Sequence, residues 1–285
     1  MARYSQPFVP PKAPEILYRN ELYRLIKAMV KDYKSVIALY RSKQGQITMD
    51  ADTWITTDVE ARMKALGKKW GDKFAAYAQT HSKKFVDRLL RMSNTQLKST
   101  LKDWIATSQL ELIGNVIPTP VKQVVKASVA YNVSLVSSVA TEYHERVYGA
   151  LMRSITGNGS LKDLQTQIYK YGNMSMRRAK LISYDQTRKV YASITLHTAQ
   201  HYGVQKMQWM HSHADKVPRP MHIRKWDGVS SPDDPNGLDG LIFDINHPPL
   251  IQRESVTKSG RRIPEVHGYP TDLIGCTCIM RAVME

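Results

Sequence analysis

The two cysteines of the chain lie close together near its end, at Cys276 and Cys278. Residues i and i+2 of a strand point to the same face, so both thiols can meet one partner. A disulfide between them would be badly strained, which favours reduced thiols. Two thiolates and the imidazole of His222 supply three of the four ligands that a tetrahedral zinc ion requires. A zinc site is therefore one hypothesis for this region, beside a reduced thiol pair that binds no metal.

Spacing alone does not select the fourth zinc ligand. The candidates in the same C-terminal stretch are His211, His213, His267 and Asp215. We take Asp215 as the working assignment. A metal ion would stabilise a small, loop-rich domain with few strands. The alternative is a reduced, partly buried thiol pair without metal, because Cys-x-Cys is a less usual zinc spacing than Cys-x-x-Cys.

Two further interpretations of the same polar residues stay open. Asp244 to His247, taken with His222, resembles the metal-dependent His-Asn nucleases, although Pro248-Pro249 opposes the helix that such a site requires. Alternatively, Asp215 and Arg219 form an ion pair that fixes a purely structural turn. The sequence contains no phosphate-binding glycine loop and no serine-nucleophile pattern, so nucleotide hydrolysis is not supported.

The elements that must position these residues change type near Gly203. Before this residue, apolar side chains recur every three or four positions, which predicts long helices with short breaks. The predicted helices start at Glu15, near Thr53 or Asp58, at Thr95, at Thr119, at Ser160 and near Asn173. After Gly203 the apolar runs are short, which predicts strands over Val204–Met210, Gly240–Ile245 and Cys278–Val283. The expected fold class is an α-rich N-terminal region with a small α+β C-terminal domain.

The expected domain organisation follows the same change. Residues 1–14 contain four prolines and are expected to form an extended arm that is ordered only against a partner. Residues 15–155 are expected to form a helical domain, 156–203 connecting helices and 204–285 the small α+β domain. With 285 residues the chain is long enough for two cores.

Charge divides the chain at nearly the same point. Residues 1–200 contain 31 Lys and Arg against 15 Asp and Glu, whereas residues 201–285 contain 10 of each kind. The formal net charge of +16 therefore belongs to the first two thirds. Such a surface attracts nucleic acid or an acidic protein surface, and a merely solvated helical surface is the alternative. The aromatic residues among the lysines of the second helix, such as Trp70 and Phe74, are expected mainly in the core.

Neither a membrane helix nor a signal peptide is expected. No apolar run reaches the roughly 18 residues of a spanning helix. The longest uncharged stretch, residues 127–141, is rich in small residues and is expected to pack closely against neighbouring helices. The beginning of the chain lacks the charged and then apolar layout of an export signal, and the free cysteines fit a reducing compartment.

Four separated motifs of the C-terminal third come in a distinctive order. A long helix ends in Tyr202-Gly203-Val204 and leads into a strand with Trp209. An Asp-x-x-x-Arg-Pro-x-His pattern follows, from Asp215 to His222, and then a glycine turn and the late Cys-x-Cys pair. This order resembles the phage head morphogenesis (Mu F-like) minor head proteins over about the last hundred residues. The chain departs from the family at Tyr184 to Arg188, where an Arg-Thr-Glu-Thr run is usual.

The resemblance implies a minor structural component of a phage head and not an enzyme. Such a protein would be incorporated in low copy during procapsid assembly in the host cytoplasm, and would lie inside the head near the portal. Its partners would be portal protein, major capsid or scaffold protein, and packaged double-stranded DNA bound without sequence preference, with no membrane. The alternative function is a metal-dependent DNA-processing enzyme, a nuclease carried in the head.

Overall fold

The computed structural model describes residues 2–44, 51–156, 161–213 and 219–284. Its helices are α1 (Lys12–Gln44), α2 (Ala51–Leu101), α3 (Thr107–Leu112), α4 (Thr119–Thr156), α5 (Leu161–His201) and α6 (Pro220–Ile223). Its strands are β1 (Arg3–Tyr4), β2 (Lys206–Met210), β3 (Ile242–Asp244), β4 (Leu250–Gln252), β5 (Ser255–Val256), β6 (Arg262–Ile263), β7 (Val266–His267) and β8 (Ile279–Met284). The expected fold class is confirmed: long helices occupy the N-terminal two thirds, and short strands follow.

Two of the predicted helix breaks are absent. The helix α2 continues through Thr95, whose hydroxyl bonds the carbonyl oxygen of Arg91 one turn earlier instead of capping a new helix. The helix α5 likewise continues through Gly172. A Cβ atom at Gly172 would lie 2.8 Å from a methyl carbon of Val30, so this glycine permits a close approach and does not end the helix.

The end of α5 agrees with the sequence. Gly203 has a φ of +94°, which is the left-handed conformation expected of a glycine that ends a helix. Its backbone N–H bonds the carbonyl of Gln200, and that of Val204 bonds the carbonyl of Ala199. The chain then enters β2 with Met207 and Trp209 fully buried.

The main sheet has four antiparallel strands in the order β1-β8-β2-β3. The three strands predicted from sequence are its β2, β3 and β8. In the central pair Trp209 lies opposite Met280 and Met210 lies opposite Ile279. Two small antiparallel pairs, β4 with β7 and β5 with β6, complete the strands of the described residues. The β5–β6 pair forms a hairpin in which Ser255 lies opposite Ile263 and Val256 lies opposite Arg262.

The N-terminal arm is extended, but the expectation that it is ordered only against a partner is wrong. Its strand β1 pairs with β8, with Tyr4 opposite Val283. The backbone N–H of Phe8 donates to the carbonyl of Met280, and the side chain of Phe8 is only 2% exposed. The sequence shows a proline-rich segment with no core of its own. It does not show that one edge of β8 would be free to pair with this segment.

The chain forms two compact units. The mixed unit comprises Met1–Pro14, Val86–Ser128 and Tyr184–Glu285, and the helical unit comprises Glu15–Phe85 and Val129–Ser183. Both units are built from segments that are distant in sequence. The domain boundaries predicted from the sequence lie at residues 14, 155 and 203 and divide the chain into contiguous segments. This division stays a prediction.

The helical unit has a core of large aromatic and aliphatic side chains. Tyr33 packs edge to face on Tyr143 with ring centroids 5.0 Å apart, and its hydroxyl lies 2.9 Å from Nδ1 of His144. Burial raises the pKa of Tyr33 above its ordinary value. Trp70 and Phe74 are buried in the same unit, so the prediction that the aromatics of α2 are core residues is confirmed.

Among the described residues, one helix is long and apolar enough to cross a membrane, judged by length and composition. This is the part of α4 from Thr119 to Ser154, which is mostly not buried. A single such helix is weak evidence, because core helices pass the same test. The close packing expected of residues 127–141 holds for one face only: Asn132 and Val136 are buried, whereas Tyr131 is 51% exposed.

Candidate metal centre

The cysteines lie on the segment that leads into β8. Cys276 is 3% exposed and Cys278 is fully buried, and both are free. Gly275, with a φ of +74°, makes the turn that starts this segment. Since the cysteines are two residues apart in extended chain, both thiols reach the same side, as the spacing predicted.

His222 meets both thiols. It lies on the short helix α6, where it is 2% exposed. Its Nδ1 is 3.6 Å from the sulfur of Cys276 and 3.6 Å from the sulfur of Cys278. Its other nitrogen, Nε2, lies 3.0 Å from the carbonyl oxygen of Ile251, which can only accept a hydrogen bond. The Nε2 atom therefore carries the proton, and Nδ1 presents its lone pair to the two sulfurs.

The ring of His222 is held in place by its neighbours. Trp209 of β2 packs edge to face against it, with ring centroids 5.2 Å apart. The carbonyl of Ile251 in β4 fixes its orientation from the opposite nitrogen. A carbonyl acceptor of this kind orients the ligating histidine in many metal sites.

His211 adds a second imidazole beside the thiols. It is 7% exposed, and its Nδ1 lies 3.7 Å from the sulfur of Cys278. Its backbone N–H donates to the carboxylate of Asp239 at 2.8 Å. The sheet register explains the contact: Met210 pairs with Ile279, so the next residues in each direction, His211 and Cys278, face each other.

Helix α5 anchors the cysteine segment from the other side. The backbone N–H of Gly275 donates to the carboxylate of Asp185 at 2.9 Å, and Lys189 forms an ion pair with the same carboxylate at 3.2 Å. The guanidinium of Arg188 donates to the carbonyl of Thr277, between the two cysteines, at 3.2 Å. Asp185 and Arg188 belong to the run from Tyr184 to Arg188, where the chain departs from the Mu F-like pattern. Two residues of this departing run therefore support the cluster.

Sequence reasoning did not identify Asp185 and Arg188 as site residues. The available signal was their place in a helix where polar side chains are buried: Asp185 is 8% exposed and neighbouring Gln186 and Thr187 are 2% and 1% exposed. Buried polar side chains require partners, and here two of them are backbone groups of the cysteine segment.

The electrostatics of the cluster favour thiolate. The hydrogen bond from Cys278 lowers the pKa of the Cys276 thiol far below its ordinary value, although burial acts in the opposite direction. The thiolate is the form of cysteine that binds metal ions.

The structure brings together three of the four predicted metal ligands. The ligand atoms of His222, Cys276 and Cys278 all lie within 4.8 Å of one another. Within the described ranges, this is the one group of three or more His, Cys, Asp or Glu residues that could hold a metal ion. The fourth predicted ligand, Asp215, lies outside the described residues, as does its proposed pair with Arg219.

Arg219 itself has a different partner. Its guanidinium donates to the carbonyl of Ile274 at 3.0 Å, so it supports the turn before Cys276. The predicted turn at Asp227 and Gly228 is present, with a φ of +84° at the glycine. Hydrogen bonds from Ser230 and its neighbours lower the pKa of Asp227 below its ordinary value.

The nuclease-like residues do not join the cluster. The side chain of His247 is 86% exposed, and its Nδ1 lies 3.8 Å from Asp244. His267 is also exposed, and lies near Glu265 and the carbonyl of Pro248. Among the described residues, neither histidine belongs to the group around His222.

Comparison with known proteins gives little direct information about activity. No family model and no solved structure matches the chain. The chain is 27% identical over 250 residues to an uncharacterized protein of Haemophilus influenzae, and the match covers 87% of this chain and 52% of that protein. The chain thus spans about half the length of this relative.

Proposed function

We propose that the chain is a minor head protein of a tailed bacteriophage, with a structural and not an enzymatic role. The observation that supports this most is the convergence of the motifs behind the Mu F-like resemblance. Trp209 and Cys276 both contact His222, and the helix that ends at Gly203 carries Arg188, which holds the cysteine segment. Motifs separated by up to 90 residues along the chain thus serve one buried cluster.

Burial supports a structural role for this cluster. The side chains of His222, Cys276 and Cys278 are at most 3% exposed, and protein groups occupy both nitrogens of His222. A catalytic metal site keeps a position open for water and substrate, whereas a structural site is closed by protein ligands. A nuclease would need to bring a phosphodiester to its metal, and this burial leaves no path for so large a group.

The basic helices provide the surface for the partners. Exposed lysines such as Lys68, Lys73 and Lys84 follow α2, while Trp70 and Phe74 between them are buried. Buried aromatics cannot stack on bases, so DNA would be met through phosphates alone and without sequence preference. In the proposed role these helices face packaged DNA or acidic surfaces of the portal, capsid or scaffold protein inside the head.

Mass spectrometry of purified phage particles, full and empty, tests the proposal. A low-copy signal in assembled heads is the expected result, and consistent absence from particles that contain portal protein would contradict it. A second assay separates the structural role from the nuclease alternative. The full chain, incubated with supercoiled plasmid and Mg²⁺, Mn²⁺ or Zn²⁺, should leave the DNA intact, and metal-dependent nicking abolished by Cys276→Ser would favour the enzyme.

A further inference from the structure

The ligand atoms of His222, Cys276 and Cys278 are spaced like those around a bound zinc ion, whereas His211 approaches Cys278 and lies outside that group of three. Zinc–sulfur bonds of about 2.3 Å and zinc–nitrogen bonds of about 2.0–2.1 Å, at tetrahedral angles, separate sulfur and nitrogen ligands by about 3.5–3.6 Å. The corresponding separations here are 3.6 Å from Cys276 to His222, 3.6 Å from Cys278 to His222 and 3.7 Å from Cys278 to His211.

Thiol–imidazole hydrogen bonds are the competing explanation of these distances. One imidazole nitrogen has a single lone pair, which accepts one good hydrogen bond. At His222, however, two sulfurs lie at the same 3.6 Å from the same Nδ1. The other nitrogen is committed to the carbonyl of Ile251. A cation between the three atoms accounts for this convergence, because each of them can direct its lone pair at the ion.

We propose that Cys276, Cys278, His222 and His211 bind one zinc ion in a closed tetrahedral site. His211 takes the place assigned to Asp215 from the sequence. The proposal stands independently of the phage role, since it depends only on the geometry of the described residues.

The sheet register is what selects His211 as the fourth ligand. The β2–β8 pairing sets His211 opposite Cys278, and the hydrogen bond from its backbone to Asp239 holds it there. Its Nδ1 faces Cys278, so a rotation of the His211 side chain towards Cys276 and His222 would complete the coordination from that side. The neighbouring His213 is exposed, so it serves as a matched control on the same segment.

The metal would join the short helix α6 to the adjacent ends of the paired strands β2 and β8. His211 directly follows β2, His222 lies on the four-residue helix α6, and Cys278 directly precedes β8. One ion bound by all of them fixes α6 against the end of the β2–β8 pair. This is the role of a structural zinc ion in small domains with few strands.

Metal analysis of the full-length chain is the first test. Protein purified without chelator should contain about one zinc per chain by elemental analysis. Cobalt exchanged into the site should give the intense visible bands of tetrahedral Co²⁺ and a sulfur-to-cobalt charge-transfer band. A folded, reduced chain that holds neither zinc nor cobalt would overturn the proposal.

Variants then test the fourth ligand. His211→Ala should weaken zinc binding on the order of 100-fold or more, whereas His213→Ala and Asp215→Asn should leave it unchanged. If Asp215→Asn loses the metal and His211→Ala keeps it, the assignment of His211 is wrong.

The substitution His211→Cys keeps the test decisive even if His211→Ala fails to fold. A third thiolate on the metal should increase the sulfur-to-cobalt band in proportion, with one cobalt still bound. Only a residue in direct contact with the metal can produce this change. An unaltered band in a folded His211→Cys protein would exclude His211 as a ligand.

Discussion

The helical unit and the mixed unit are stabilised in different ways. The core of the helical unit consists of large side chains on long helices, such as Tyr33, Phe74 and Tyr143. In the mixed unit, strands of two to six residues are linked through a polar cluster around His222. Periodic burial of apolar surface supports the long helices, whereas in the mixed unit specific polar cross-links add to the burial of side chains such as Met207, Trp209 and Phe243.

Unsatisfied polar groups show the same contrast. Among the described residues, the buried side-chain polar atoms without a hydrogen-bond partner are five in the mixed unit, on Tyr202, Trp209, Ser212, Thr271 and Thr277, and two in the helical unit, on Ser82 and Arg178. Such groups are rare in folded proteins because each costs roughly 1–3 kcal/mol.

The largest expected effect comes from removing the thiols. Cys276→Ser with Cys278→Ser should lower the free energy of unfolding of the C-terminal strands by about 5 kcal/mol or more, because structural zinc binding is itself folding free energy. Hydrogen exchange should show reduced protection in β2 and β8, with protection in α1 retained. Equal stability of the double variant and the parent chain would mean that the thiols only pack.

The matching change in the helical unit is Phe74→Ala. Removal of this fully buried ring should cost about 3–5 kcal/mol through reduced burial and the cavity left behind. Thermal or urea unfolding measures the cost, and elemental analysis should still find the metal in the folded protein. Loss of metal from folded Phe74→Ala would show that the apolar core of the helical unit and the metal site do not stabilise the chain independently.

A smaller effect tests the continuity of α5. Gly172→Ala should destabilise by about 1–3 kcal/mol, because the new methyl would lie 2.8 Å from a methyl carbon of Val30. The control is Gly71→Ala in α2, where a Cβ atom would have no neighbour within 4 Å. This control should stabilise by about 0.5–1 kcal/mol, since alanine favours the helix. Similar shifts in melting temperature for both variants would contradict the close helix contact at Gly172.

The smallest effects on stability, within about 0.5 kcal/mol, are expected from surface charge. Lys68→Glu with Lys84→Glu on α2 should weaken DNA binding. The slope of log binding constant against log salt concentration should become shallower by about 0.9 for each phosphate that is no longer neutralised. Lys258→Glu with Arg261→Glu, in the β5–β6 hairpin, is the control. Anisotropy titrations of the full chain at several salt concentrations measure both. Equal weakening by the two pairs would mean that DNA binding does not depend on the basic helices.

The compact units change how the charge division is to be tested. By sequence, the whole excess of basic residues precedes residue 201. By unit, the helical unit has 21 Lys and Arg against 11 Asp and Glu, and the mixed unit has 20 against 14. Because the mixed unit includes residues 1–14 and 86–128, a fragment of residues 201–285 lacks part of its own core. The full chain with local charge reversals is therefore the better probe.

Much of the local structure could be predicted from sequence. The helical periodicity, the glycine at the end of α5, the three main strands and the shared face of Cys276 and Cys278 follow from spacing and local conformational preference. These features could be predicted without knowing which distant segments they contact. The fold class agrees with the structure for this reason. The grouping of both cysteines with His222, a contact between distant residues, was predicted instead from the ligand chemistry that these side chains share.

The tertiary structure alone decided the contacts between distant segments. The arm covers the edge of β8, Gly172 packs on Val30, and Asp185 and Arg188 hold the cysteine segment. The choice of His211 over His213 beside the thiols is of the same kind, because it depends on a strand register set by residues about 70 positions apart. Local preference acts over a few residues, whereas register and packing depend on which surfaces meet when the whole core forms.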